Sequence, residues 1–182
     1  MNSASVGTHP GGISGPAILA IPDGLAAPGT ARATWQDVAA LADLPLGTMV
    51  RITRGDLDVL LAHTDRGIAA TDDRCPHMSA PLSVGVLDGC MVDCPLHSGR
   101  FDLATGETVR FPTTGGLDPD GVYHPTWVPD GTPPKPEPSD AKARARALTR
   151  VRRMRYYPVR ISGDRIEVAI PADVGSGLTG GP

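Results

Sequence analysis

Two short segments of this 182-residue chain contain residues that can hold a metal. They read Cys75-Pro76-His77 and Cys94-Pro95-Leu96-His97, and sixteen residues separate His77 from Cys94. Each segment offers one thiol and one imidazole beside a proline, which stiffens the backbone and leaves it little entropy to lose. Thiolates and imidazoles bind iron–sulfur clusters and zinc. The sequence therefore predicts a mixed thiolate–imidazole centre.

The order of the candidate ligands separates the two metal chemistries. A Rieske [2Fe–2S] centre takes two Cys on one iron and two His on the other. Zinc fingers usually place both Cys close together and then both His, whereas here the order is Cys, His, Cys, His. Two similar loops, each giving one thiolate and one imidazole, suit a two-iron cluster and point to electron transfer. A zinc-stabilised interaction module is the alternative from another functional class.

Composition and targeting signals narrow the class of protein further. Apolar residues make up 40 % of the chain, and the 22 Gly and 19 Pro indicate many turns. Two of the three Cys lie in the proposed site, so a disulfide framework is not expected. No stretch approaches the roughly 20 apolar residues of a membrane span, and no Lys or Arg precedes Arg32, which disfavours a secretory signal. We therefore expect a cytoplasmic protein.

The elements that must position the two loops are short β-strands. Apolar runs at 49–53 and 57–63 flank the turn Arg54-Gly55-Asp56, and Asp88-Gly89 is a hairpin signal between the two ligand segments. A further hairpin is expected over 99–111. Alternating apolar residues on both sides of Ser162-Gly163-Asp164 indicate a terminal hairpin with one buried face. Six to nine short strands at this spacing predict a small all-β sandwich or barrel.

Composition also suggests how the chain is divided. Residues 1–31 are rich in Gly, Ala, Pro and Ser and are expected to form a disordered arm. The main domain covers 32–171, with a Pro-rich and basic insertion at 113–154, and 172–182 form a flexible tail. Seven Lys and Arg residues and no Asp or Glu lie from Lys142 to Arg155 inclusive. Since the net charge of the whole chain is −3, the remaining residues carry a net charge of −10. Ala and Leu between the basic residues favour a helix over roughly 140–150.

The two ligand segments and their neighbours resemble the Rieske [2Fe–2S] family. The runs CPHMSAPLS at 75–83 and CPLHSGRFDLATGE at 94–107 carry the resemblance, with Asp72-Asp73-Arg74 before them and Tyr157-Pro158-Val159 near the end. It covers about 34–112 and 155–170. It implies an antiparallel β-sandwich with a small two-loop subdomain that binds one [2Fe–2S] cluster. By the same resemblance, Cys75 and Cys94 bind the buried iron, and His77 and His97 bind the exposed iron that faces a redox partner.

Within that family, the chain most resembles the ferredoxins of bacterial ring-hydroxylating dioxygenase systems. Respiratory and photosynthetic members carry an additional Cys in each loop, and the corresponding positions here are Ala80 and Leu96. The resemblance implies a non-catalytic, one-electron carrier with a flavoprotein reductase and a terminal oxygenase, or another redox enzyme, as partners. An electron-entry subunit of a multicomponent oxidoreductase, of oxygenase or nitrite reductase type, is the alternative within the family.

The remaining candidate residues fit secondary roles. An oxygenase needs a mononuclear iron held by two His and a carboxylate, and the isolated His9, His63 and His124 provide no such group. Cys90 is expected to be a buried strand residue, since no His lies at a matching spacing. The basic run either docks an acidic partner or is a solvated segment. Nucleic acid is disfavoured as a ligand because no aromatic residue interrupts the basic run before Tyr156 and Tyr157.

Overall fold

The computed structural model describes residues 15–133 and 140–171. In this part of the chain, almost all regular structure is β, with one α-helix. The strands are β1 (Thr34–Ala40), β2 (Thr48–Arg54), β3 (Leu57–Thr64), β4 (Gly67–Asp72), β5 (Val86–Asp88), β6 (Met91–Asp93), β7 (Arg100–Asp102), β8 (Thr108–Arg110), β9 (Gly116–Leu117), β10 (Tyr123–His124), β11 (Val159–Ser162) and β12 (Arg165–Ile170), and the helix is α1 (Asp140–Leu148). The strands within each sheet pair antiparallel, which confirms the predicted fold class. They outnumber the six to nine expected because several have only two or three residues.

Two three-stranded sheets form the larger half of the fold. One has the order β2-β3-β4 and the other β1-β12-β11, so the first strand pairs with the last. The terminal hairpin predicted around Gly163 is confirmed by the β11–β12 pairing. Residues from both sheets meet in one core with Val59, Leu61, Ile68, Ile166, Val168 and Ile170, and Leu44 and Tyr157 join it from the connecting segments. The period-2 alternation seen in the sequence places the strand side chains of this core on the inner faces.

A smaller four-stranded sheet carries the ligand segments. Its order is β5-β6-β7-β8, and the predicted Asp88-Gly89 hairpin joins β5 to β6. The first ligand segment lies between β4 and β5, and the second forms the connection between β6 and β7. A second core lies beneath these loops and includes Leu60, Cys75, Leu82, Val92, Cys94, Phe101, Leu103, Val151, Met154 and Tyr156. Because both ligand cysteines belong to this core, the loops are anchored by hydrophobic packing as well as by hydrogen bonds.

The N-terminal segment differs from the expected disordered arm wherever it is described. Residues 1–14 lie outside the described residues, but the chain from residue 15 onwards packs on the fold. Ile18 makes a parallel bridge to Ile68, and Leu25 and Ala27 are buried. The backbone exchanges hydrogen bonds with Tyr156, from Tyr156 N to Leu25 O at 2.9 Å and from Ala27 N to Tyr156 O at 2.8 Å. Scattered apolar residues in this Pro- and Gly-rich segment therefore cover the neighbouring β4.

The predicted insertion is folded where it is described, and it rejoins the core earlier than expected. The predicted helix is confirmed as α1, while residues 134–139 fall outside the described part. The segment is closed at its base by Leu117, whose N–H donates to Thr149 O and whose carbonyl accepts from Val151 N, both at 2.8 Å. Val151 is fully buried, so the core resumes there, before residue 155. The expected tail, 172–182, lies outside the described residues.

No helix in the described ranges is long and apolar enough to cross a membrane.

Candidate metal centre

The two ligand loops have the same local geometry. In the first, Ser79 N donates to Cys75 O at 2.9 Å, and Cys75 N donates to Ala80 O at 2.7 Å. In the second, Ser98 N donates to Cys94 O at 3.1 Å, and Cys94 N donates to Gly99 O at 2.8 Å. Ser79 and Ser98 have φ of 59° and 54°, a left-handed conformation that reverses the chain. The structure thus repeats one tight turn on both sides of the site.

The four predicted ligand side chains meet as two pairs, one of cysteines and one of histidines. Cys75 and Cys94 are buried, with exposed fractions of 2 % and 3 %, and their sulfurs share a hydrogen bond. The rings of His77 and His97 lie edge to face, 4.9 Å apart between centroids. A single zinc ion needs three or four ligands around one point. Among the described residues, no group of three His, Cys, Asp or Glu side chains has that arrangement, whereas two pairs of ligands on two irons do not require it.

His77 gives the clearest indication that a metal belongs here. Its Nδ1 atom is buried and has no hydrogen-bond partner, while its Nε2 lies 3.1 Å from Thr114 Oγ1. Burial, and to a smaller extent the charge of His97, lowers the pKa of His77 to about 4. A buried polar atom without a partner is costly unless it binds something else. A neutral imidazole with a free Nδ1 is what an iron of a [2Fe–2S] cluster requires, so the residues fit that group.

The two thiols differ in how readily they ionise. The hydrogen bond with Cys94, followed by burial, raises the pKa of Cys75. The hydrogen bond from Cys75 lowers the pKa of Cys94 to about 6, and the backbone N–H groups of Leu96 and His97 act in the same direction. Cys75 likewise accepts from the backbone N–H groups of the two residues that follow Pro76. These backbone donors stabilise negative charge on both sulfurs, as cluster binding demands.

Two charged residues support the first ligand loop. The buried carboxylate of Asp73 accepts hydrogen bonds from Arg51 Nε at 2.5 Å and from Ser83 N and Oγ at 2.7 and 2.6 Å. Arg152 N and Nε donate to Pro76 O at 3.0 and 3.2 Å, and its guanidinium also donates to Cys75 O and, at 2.8 Å, to Ser79 Oγ. Sequence reasoning did not single out either residue for this role. Asp73 lies in the quoted run before Cys75, but Arg152 is 77 residues away from Cys75.

Arginines also support the second loop. Arg110 Nε donates to Ser98 O at 2.9 Å. Arg100 pairs with Asp93 through two hydrogen bonds of 2.8 and 3.0 Å, and Arg110 shares the same carboxylate at 3.1 Å. Asp93 directly precedes Cys94, so this network fixes the point where β6 enters the ligand loop.

The insertion contacts both histidines. Thr113 N donates to His97 O at 2.9 Å, next to the contact of Thr114 with His77. Trp127 holds this segment in place, because its backbone N–H donates to Thr113 O and its indole N–H donates to Phe111 O. As a result His77 is 6 % exposed, whereas His97 is partly exposed. Met78 and Leu96, which adjoin the two histidines in sequence, have exposed side chains.

The other cysteine and histidines of the described chain lie apart from this centre. Cys90 contacts Thr64 Oγ1 at 3.3 Å and Asp65 Oδ1 at 3.2 Å, and burial is the main cause that raises its pKa. His63 Nδ1 lies 2.9 Å from Leu44 O, and the ring of His124 stacks on Phe111. None of the three joins the four candidate ligands, as the sequence predicted, while His9 lies outside the described residues.

Known proteins resemble this chain in sequence and in fold. Residues 34–122 match the family described as the Rieske [2Fe–2S] domain. The ferredoxin component of naphthalene 1,2-dioxygenase/salicylate 5-hydroxylase systems from a Ralstonia species is 40 % identical over 80 residues, which cover 44 % of this chain and 77 % of that protein. The ferredoxin component of the naphthalene 1,2-dioxygenase system from Pseudomonas aeruginosa is 39 % identical over 83 residues, covering 46 % and 80 %.

Solved structures show the same fold in carriers and in oxygenases. The Sphingomonas yanoikuyae B1 ferredoxin superposes with a TM-score of 0.51 at 21 % identity, over 76 % of this chain and 100 % of that one. Dicamba monooxygenase bound to 3,6-dichlorosalicylic acid gives a TM-score of 0.51 at 25 % identity, over 78 % of this chain but 32 % of the monooxygenase. The shared part therefore corresponds to a whole ferredoxin and to about a third of that monooxygenase.

Proposed function

Since this chain belongs to the Rieske [2Fe–2S] family, we propose that it carries single electrons from a reductase to a terminal oxygenase. Its cofactor is one Rieske-type [2Fe–2S] cluster, which supplies reversible one-electron oxidation and reduction. The relatives that support this function are ferredoxin components of dioxygenase systems, and the chain covers 77 % and 80 % of two of them.

The observation that carries the proposal is the pair of like loops, each offering one thiol and one imidazole, with His77 Nδ1 buried and unpartnered. We assign Cys75 and Cys94 to the inner iron and His77 and His97 to the outer iron. In this assignment the backbone N–H groups after each Cys stabilise charge on the thiolates. The core around both Cys excludes water, and the partly exposed His97 offers the path to a partner.

In this role the protein's own residues hold and insulate the cofactor, and none of them acts on a substrate. We propose the cytoplasm as its compartment, since Cys90, the cysteine that is not assigned to iron, forms no disulfide. An electron-entry subunit bound permanently to an oxygenase is the second candidate, because dicamba monooxygenase contains the same fold. Gel filtration of the protein with its oxygenase distinguishes the two, since a shuttling carrier elutes separately at micromolar concentration.

Substitution of single ligands tests the assignment. We expect His97→Ala and His77→Ala each to abolish the rhombic EPR signal of the reduced cluster and to lower the iron and sulfide content. The matched control is His124→Ala, which removes an imidazole that stacks on Phe111 outside the centre and is expected to keep the signal. Retention of the signal by His97→Ala, or its loss in His124→Ala, would contradict the ligand set, and stoichiometric zinc in place of iron would contradict the cofactor.

A further inference from the structure

A groove rich in arginine lies beside the first ligand loop. It encloses about 760 Å³, and Ser79 of that loop and Tyr157 of the core are among the residues that line it. Its charged lining residues are Arg32, Arg74, Arg152, Arg155, Asp56 and Asp72. The four arginines come from three distant parts of the chain: the N-terminal segment, the start of the ligand loop, and the end of the insertion. Folding has therefore gathered positive charge that the sequence spreads over more than a hundred residues.

The carboxylates in the groove neutralise only part of this charge. Four guanidinium groups face two carboxylates, and one of these, Asp72, already accepts a hydrogen bond of 2.5 Å from the Tyr157 hydroxyl. Arg155 lies 3.9 Å from Asp72, which is a long contact between an exposed guanidinium and a partly buried carboxylate. Within the described residues, Arg32 and Arg74 make no ion pair at all. The groove thus presents unpaired positive charge on a chain whose net charge is −3.

The position of the groove links it to the metal centre. Arg74 immediately precedes Cys75, and Arg152 holds the carbonyl groups of Cys75 and Pro76. A molecule bound in the groove therefore lies against the loop that supplies half of the proposed ligands. The arginine side chains are exposed, which suits attraction between two protein surfaces better than the enclosed capture of a small anion.

We propose that this groove is the docking surface for an acidic segment of a protein redox partner. The proposal rests on the electron-carrier function and adds the surface and the charge of the partner to it. Complementary charge accelerates encounter and fixes orientation, and salt weakens it over a Debye length of about 8–10 Å. The partner's acidic segment pairs with Arg32, Arg74 and Arg155, while Arg152 remains bound to the ligand loop.

A matched pair of double variants tests the proposal. Arg32→Gln with Arg74→Gln removes two unpaired charges from the groove and leaves Arg152 and Asp72 untouched. Lys142→Gln with Arg144→Gln removes the same net charge from exposed positions of α1, which do not line the groove. The probe is a fluorescein-labelled octaglutamate peptide, and binding is measured by fluorescence anisotropy at 20 and 200 mM NaCl.

We expect the groove variant to weaken peptide binding about fivefold or more at low salt, and the α1 variant to change it less than about twofold. At 200 mM NaCl the difference should shrink. Equal loss in both variants would overturn the proposal, because net charge alone would then explain binding. Tighter binding of a single-stranded oligonucleotide of equal charge, or displacement of the peptide by an equal charge of inorganic phosphate, would also overturn it.

The EPR signal of each variant is recorded in parallel, which distinguishes a defect in docking from a defect in cluster binding. An intact signal with unchanged peptide binding refutes the groove and leaves the electron carrier standing. Absence of the signal already in the unmodified protein refutes the carrier, whatever the peptide does.

Discussion

The hydroxyl group of Thr114 controls how His77 is held. Because Nδ1 is buried and is the nitrogen that we assign to iron, Nε2 carries the proton and donates it to Thr114 Oγ1 at 3.1 Å. An imidazole whose N–H is bonded to an oxygen gives more electron density to a metal. Thr114 therefore orients the ring and favours the oxidised form of the bound cluster.

Replacement of Thr114 by Val removes the acceptor while keeping the shape of the side chain. We expect the midpoint potential of Thr114→Val to rise, by at most about 60 mV, if the lost hydrogen bond is worth about 0.5–1.5 kcal/mol more in the oxidised state. Thr114→Ser is the control and should stay close to the unmodified protein. Protein-film voltammetry measures both, and an unchanged or lower potential for the Val variant would refute this role.

Local spacing explains which residues could be found from the sequence. Two Cys and two His within 23 residues, each pair beside a proline, predicted the ligand set, and the structure brings the two Cys side chains together and the two His rings together. Thr114 is 37 residues from His77, and Arg152 is 77 residues from Cys75. A threonine or an arginine has no sequence signature for such a role, because the contact depends on the path of the whole insertion.

Among the structural elements, the connection from β4 to β5 depends on one carboxylate. Asp73 is fully buried and accepts hydrogen bonds from Arg51 of β2 and from Ser83, so it connects the first ligand loop to the β2-β3-β4 sheet. Removing it leaves two donors of Ser83 without a partner.

We expect Asp73→Ala to lower the free energy of unfolding by about 2–4 kcal/mol and to speed the loss of iron to a chelator. Asp120→Ala is the matched control, since its exposed pair with Arg153 contributes less than about 1 kcal/mol. Urea denaturation followed by circular dichroism gives both values. A cost for Asp73→Ala as small as that of the control would show that the loop does not depend on this carboxylate.

The N-terminal segment shows where prediction at this scale failed. Its Gly, Pro and Ala content indicated disorder, but burial of Leu25 and Ala27 outweighs the entropy of ordering the described part. Leu25 lies directly over Gly106, which has φ of 76° and where a Cβ would come within 2.2 Å of Leu25 Cδ1. The partners of this segment lie far along the chain, so no periodic pattern announces them. The regular strands and their turns, by contrast, were predictable from alternation and from turn residues.

Leu25→Ala tests whether this segment contributes to stability in solution. We expect a loss of about 2–4 kcal/mol, as for other buried leucines, with a lower melting temperature by calorimetry. The exposed Leu46 offers the comparison, and Leu46→Ala should change stability by less than about 0.5 kcal/mol. A neutral Leu25→Ala would mean that the segment detaches in solution.

At the scale of the whole molecule, the insertion makes the two histidine edges unequal. It covers His77 to 6 % exposure, while His97 remains partly exposed. Because His97 is the more exposed of the two proposed histidine ligands, we expect the reductase and the oxygenase to bind the same face of the protein in turn. The carrier must then dissociate from one partner before it binds the other, so the turnover rate depends on the lifetime of each complex.

Competition for one binding face should make an excess of oxygenase inhibitory. In an assay with limiting reductase and fixed carrier, we expect turnover to rise with oxygenase concentration, pass through a maximum and then fall, as idle oxygenase occupies reduced and oxidised carrier alike. Stopped-flow reduction by the reductase should slow when redox-inactive, iron-depleted oxygenase is added. Reduction at an unchanged rate would show that the reductase and the oxygenase bind at different sites. Because one histidine edge is covered, fast dissociation from each partner is as important for the rate of electron transfer as tight binding to it.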